Sequence, residues 1–125
     1  MTISSAVEAI QGLRAAVAGA AAGDDEDVRR QCASPAFAEC EIARVPNEDA
    51  IAHVAVRLAG PLPLSDLEAA FGPARWLPAR PEGGGSRSMI FDETLPAEGS
   101  AGATLLAEVE QDGSVRRLVV RRDVL

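Results

Sequence analysis

Val7, Ile10, Leu13 and Val17 recur at three- and four-residue spacing, which lines one face of an α-helix, and the alanines between them keep helix propensity high. Ser5 followed by Glu8 reads as a capping box, so the pattern predicts an amphipathic helix over residues 5–22. Gly23 suits the position just past its end. Asp24, Asp25, Glu26 and Asp27 then offer an N-cap and negative charge to a second helix running to about Cys32. From Phe37 the period drops to two. Ala38, Cys40 and Ile42 alternate with Glu39, Glu41 and Ala43; after a turn at Pro46-Asn47-Glu48-Asp49, Val54, Val56 and Leu58 alternate with Ile51, His53, Ala55 and Arg57. These runs predict a strand pair, broken at Gly60-Pro61.

Leu64 or Ser65 opens a short helix through Phe71, which Gly72-Pro73 closes. Ala74 to Ala79 carries Trp76 and reads as a short strand that Pro78 confines to an edge or a strand end. Gly83-Gly84-Gly85-Ser86 is a connecting loop; no Gly-Lys-Ser/Thr follows it, so it is no phosphate-binding loop. Ser88 to Glu93 predicts a strand with Met89 and Phe91 facing one way and Ile90 and Asp92 the other. With Asp112-Gly113 as a two-residue turn, the last hairpin sets Val109 opposite Arg116, Glu108 opposite Arg117, Ala107 opposite Leu118 and Leu105 opposite Val120. Leu105, Ala107, Val109, Leu118 and Val120 then form a core face. The cluster Arg116, Arg117, Arg121 and Arg122 reads as solvated sheet surface.

The elements add up to an α+β fold over residues 1–125, helices packed on a bent, mainly antiparallel sheet in the order α-α-β-β-α-β-β-β-β. A chain of 125 residues is one domain with room for a single sizeable core. Hydrophobic residues make up 47% and aromatic ones 3%, so that core is aliphatic and alanine-rich. All twelve basic residues are arginine and the net charge is still −7, a field that disfavours nucleic acid and anionic membranes as partners. The absence of lysine excludes Schiff-base chemistry on that side chain. The most apolar stretch, Ala15 to Ala22, is too weak for an export signal or a membrane span, which predicts a cytoplasmic protein.

In that setting Cys32 and Cys40 read as two reduced, partly buried thiols rather than a disulfide. One histidine, two cysteines and no His-x-x-x-His or Cys-x-x-Cys spacing leave no recognisable metal site, and no cofactor is expected. The consecutive acids Asp24 to Asp27 splay around a helix start and lack the alternation of a calcium loop. His53 and Asp92 are the candidate acid/base groups, each with a plainer reading as an ordinary sheet residue. Arg57 would stand at the mouth of a pocket holding His53. Trp76, Met89 and Phe91 are the bulky side chains that either line a ligand site or fill the core.

The element order resembles that of the NTF2-like superfamily, the cone fold of ketosteroid isomerase and the SnoaL-type polyketide cyclases. Ala21-Ala22-Gly23-Asp24 followed by Val28 resembles its break between the first two helices, and Gln111-Asp112-Gly113-Ser114-Val115 its last hairpin. That resemblance implies a pocket for a small apolar molecule enclosed by sheet and helices, and a homodimer formed through the outer sheet face. Either the chain is a noncatalytic ligand-binding or accessory protein, or it is a small isomerase, cyclase or lyase using His53 or Asp92. The isomerase-type oxyanion site is excluded, because it needs a tyrosine and this chain has none. In the second half, Ser65 to Pro73 followed by strands is similar to the unit of SmpA/OmlA and β-lactamase-inhibitor domains, which implies an inhibitor or immunity-like interaction module.

Overall fold

A computed structural model describes residues 2–20, 25–47, 50–76, 87–91 and 101–124. Gly23, Asp24, Pro78, the 83–86 loop, Asp92 and Glu93 lie outside the described residues. The fold is α+β, with the elements in the order expected from the sequence. Helix α1 (Ile3–Gly19) buries Ala6, Ile10, Leu13 and Val17, a stripe at helical spacing. Alanine at position 6, rather than Val7, completes the buried face. The N-cap is Thr2 and not Ser5: the Thr2 hydroxyl oxygen accepts from the Ser5 N–H at 3.1 Å, satisfying one of the helix's orphan donors. The helix ends at Gly19, short of residue 22, with the Ala20 N–H donating to the Val17 carbonyl at 3.3 Å.

Helix α2 (Glu26–Cys32) starts at Asp25, carries Glu26 and Asp27 in its first turn and buries Val28. Asp25 forms no side-chain cap. Its carboxylate instead meets Arg29, 3.2 Å away, and Arg44, so it ties the helix start to the end of the first strand.

Among the described residues, six strands form one antiparallel sheet: β1 (Phe37–Arg44), β2 (Ile51–Pro63), β3 (Ala74–Trp76), β4 (Arg87–Phe91), β5 (Ala101–Val109) and β6 (Ser114–Val124), in spatial order β1-β2-β6-β5-β4-β3. Asn47, at a positive φ of 64°, turns the chain between β1 and β2. Gly60-Pro61 bends β2 rather than ending it. Arg57 pairs with Arg117 and Leu62 with Val115, so four residues of β2 bulge against a single residue of β6 before pairing resumes. A proline is tolerated within such a bulge because its missing N–H is not asked to join the ladder. Helix α3 (Leu64–Phe71) follows and is closed by Gly72 at φ 90°.

Alternation divides the sheet into two faces. Val54, Val56, Leu58, Met89, Phe91, Leu105, Ala107, Leu118 and Val120 all join the buried cluster with the α1 stripe, Val28 and Leu67. Ile51 also belongs to that cluster, although period two assigned it to the His53 face. The described wall between helices and sheet is thus closely packed aliphatic core.

The β5–β6 hairpin has the expected pairs Leu105 with Val120, Ala107 with Leu118 and Glu108 with Arg117, but Val109 pairs with Val115 and not Arg116. The turn is one residue longer than two. The Glu110 carbonyl accepts from the Gly113 N–H at 3.0 Å, and Gly113 sits at φ 83°. A type I turn splays its strands, and a left-handed glycine after it restores their twist at the cost of one bulged residue. Gly113 is that residue, and Arg116, without a cross-strand partner between Val115 and Arg117, is a further extra residue that brings Arg117 opposite Glu108.

Cys32 and Cys40 are joined in a disulfide, Cα to Cα 5.7 Å, contrary to the reduced pair expected from the sequence. The short link from α2 back into β1 brings the two backbones within bridging range. Among the described residues, no helix is long and apolar enough to cross a membrane.

Candidate functional site

Cross-strand register arranges the face turned away from α1 into three rows. The first runs Glu39, Arg57, Arg117, Glu108, Ser88. Next comes Glu41, Ala55, Val119, Leu106, Ile90, Arg75, a row apolar through its middle. The third holds Ala43, His53, Arg121 and Thr104. Ala55, Val119 and Leu106 are half-buried and stand outside the core cluster. A depression of about 410 Å³ opens on this face, lined by Glu39, Glu41, Ala55, Arg57, Arg117 and Val119 among others.

The charges of the first row compensate one another. Arg57 donates to the Glu39 carboxylate at 3.1 Å. That hydrogen bond, then the charge of Arg57 and more weakly that of Arg117, holds the Glu39 carboxyl below its ordinary range. Arg57 and Arg117 are like charges on adjacent strands, and Glu39 and Glu108 flank them. In the third row Arg121 donates to Asp123 at 2.9 Å, and the buried Thr104 hydroxyl donates to the same carboxylate.

The helix-covered face ends differently. Arg122 follows Leu118 and Val120 in phase, so it belongs to the core side, and its Cα partner is Ala103. Arg14 of α1 donates from Nε to the Ala103 carbonyl at 3.0 Å and lies 6.0 Å from the centre of the Phe71 ring. Arg122 itself is half-buried, and its Nε is buried with no hydrogen-bond partner.

The candidate residues that are described therefore do not converge. His53 is half-buried on the outer face between Ala43 and Arg121, and Arg57 is committed to Glu39 on the same face. Met89 and Phe91 are core residues on the opposite face, Phe91 meeting Phe71 edge-on at 6.3 Å. Trp76 sits on the edge strand, 47% exposed, under the Arg87 guanidinium at 4.5 Å. Asp92 is outside the described residues. Among those described, no group of three histidine, cysteine or acidic side chains could hold a metal ion.

Grouped with its basic neighbours, Arg122 reads as surface, whereas the structure sets it on the core side opposite Ala103. The signal was present in the phase of Leu118 and Val120. No protein-family model, no curated protein and no solved structure matches this chain.

Proposed function

We propose that the chain is a binding or accessory protein of NTF2-like order, working as a pair of identical copies joined through the outer sheet face, with a small apolar molecule as the ligand of each copy. One observation carries the pairing of copies: the half-buried row Ala55, Val119 and Leu106 stands outside the core beside the compensating charges of Glu39, Arg57, Arg117 and Glu108. Apolar side chains left outside a core in a contiguous row mark an interaction surface. The adjoining row of Glu39, Arg57, Arg117 and Glu108 sums to zero formal charge, on a chain whose net charge is −7. Two copies meeting there avoid the repulsion that the rest of the molecule would impose, which favours a second copy as the occupant.

A catalytic role as a small isomerase, cyclase or lyase finds less support. A general base needs a dry concave site that tunes its pKa, and His53 lies on an open sheet face with an arginine as its cross-strand neighbour. A cytoplasmic location, expected from the sequence, sits against the Cys32–Cys40 bond, since disulfides persist in oxidising compartments.

Sedimentation velocity of the purified protein tests the reading. The expected result is a dimer at micromolar concentration, converted to a monomer by Val119→Glu with an unchanged far-UV circular dichroism spectrum. A wild-type chain that stays monomeric at about 100 µM, weaker than the common range of specific association, overturns it.

A further inference from the structure

We propose that the outer edge of β1 receives an extended segment of another protein, one that alternates basic with apolar residues, as an added strand. The inference goes beyond the reading above and does not depend on the pairing of copies.

The two edges of the described sheet are finished differently. β3 is only three residues long and follows Pro73, so it offers few backbone groups to an incoming strand. β1 runs for eight residues, and between the irregularities at Phe37/Glu39 and Ala43/Arg44 its register with β2 is unbroken from Glu39 to Ala43. Alternate residues of an antiparallel strand turn their N–H and C=O groups to opposite sides, so about half of the backbone groups in that run point away from β2. Among the described residues, no backbone hydrogen bond joins Glu39–Ala43 to any element but β2. Neither proline nor bulge, two of the devices that close an edge to pairing, interrupts the run.

The side chains of the run select the partner. Glu39 and Glu41 are exposed on the outer face; Arg57 holds Glu39, whereas Glu41 has no ion pair among the described residues. Cys40 and Ile42, on the core side, are half-buried against the core. A second copy of β1 fits poorly. Residues opposite one another share a face, so the two-fold register that covers the whole run sets Glu41 against Glu41, and a shift toward Phe37 sets Glu39 against Glu41. A strand with arginine or lysine on its outer-facing positions instead places those cations across from the two carboxylates, and its apolar residues, on the other face, extend the rim at Ile42. Backbone hydrogen bonds then supply affinity and the alternation supplies specificity. The net charge of −7 draws such a segment in.

Fluorescence anisotropy of a labelled, end-capped heptapeptide alternating arginine and valine, titrated with the full chain, tests the proposal. A peptide of the same composition with its arginines in one block keeps the charge and loses the alternation. Two further peptides carry N-methyl groups on the arginine amides or on the valine amides, each set removing the donors from one edge of the strand. The expected result is a dissociation constant in the micromolar range, weakened at least about tenfold in the block peptide and in one of the two N-methylated peptides. Glu41→Arg should weaken binding about tenfold and Glu41→Gln by less, both with an unchanged far-UV circular dichroism spectrum. Amide shifts in nitrogen-15 NMR should centre on Glu39–Ala43. The proposal is overturned if the alternating peptide does not bind at about 1 mM. It is overturned equally if the block peptide or both N-methylated peptides bind as well as the parent, which is attraction of charge alone, if Glu41→Arg binds like the wild type, or if the shifts fall on β3. Val119→Glu should bind the peptide as the wild type does, so failure of the dimer and failure of this edge are read separately.

Discussion

Cys32, the last residue of α2, is bonded to Cys40 on β1, while Asp25 at the other end of that helix meets Arg44 at the end of the same strand. The short helix is therefore held to β1 at both ends, with Val28 buried between them. A cross-link closing so short a loop stabilises by about 2–3 kcal/mol on chain-entropy grounds. Thiol titration of the denatured, unreduced protein should find no free cysteine, and two after reduction. Reduction should lower Tm by several degrees. Two free thiols before reduction would show the pair to be unbonded.

The Asp25–Arg44 contact gives a pH dependence of known sign. Hydrogen bonding from Arg44, with the charge of Arg29 adding to it, lowers the Asp25 pKa from its ordinary value of 3.8. A carboxyl whose pKa is depressed by folding contributes stability that is fully present above 3.8 and is lost as pH falls through the folded-state value. Arg44→Met should move the Asp25 midpoint in carbon-13 NMR titration up toward 3.8 and remove this part of the acid limb of the stability curve. Arg57→Met should act likewise on Glu39, toward 4.5. An Asp25 midpoint that does not respond to Arg44→Met contradicts the contact.

Core truncation should separate the buried stripe of α1 from its flank. Leu13 is fully buried, and Leu13→Ala should cost about 2–5 kcal/mol in urea unfolding, the transfer term plus the cavity left behind. Val7 is only half-buried, and Val7→Ala should cost roughly 1 kcal/mol or less. Equal losses at the two positions would mean that α1 presents a different face.

Gly113 should resist substitution through its backbone alone. A Cβ there meets nothing within 4 Å, but φ is +83°. Gly113→Ala should destabilise by about 1 kcal/mol, and Gly113→Asn by less, because asparagine enters the left-handed region more readily. Asp112 supports the same turn, accepting from the Ser114 N–H at 2.9 Å and from its hydroxyl, and these bonds hold its carboxyl below the ordinary range. If Gly113→Ala has no effect in urea unfolding, the three-residue loop is wrong.

Much of the architecture is legible from local pattern. The helix near Glu26, the start of β1 at Phe37 and the short helix closed at Gly72 follow from capping chemistry and from the change of period, which act over a few residues. The errors lie where one turn's geometry or one bulge shifts the count. The bend at Gly60-Pro61 reads as an end because punctuation marks a change of direction without saying whether pairing resumes beyond it. At the last hairpin the same Asp112-Gly113 signal serves a two-residue and a three-residue loop, and the choice moves Val109 from Arg116 to Val115.

The alternation of β6 and the helical stripe of α1 were determined by the sequence, because the covalent backbone imposes their periods wherever these elements form. Tertiary structure alone decided which side chains meet. It separated His53 from Met89 and Phe91 on opposite faces, brought Cys32 within bonding distance of Cys40, and left Arg122 beside Ala103 without an acceptor. Period gives the face of a residue, whereas its partner depends on strand order and register, which arise from contacts between segments distant in the chain.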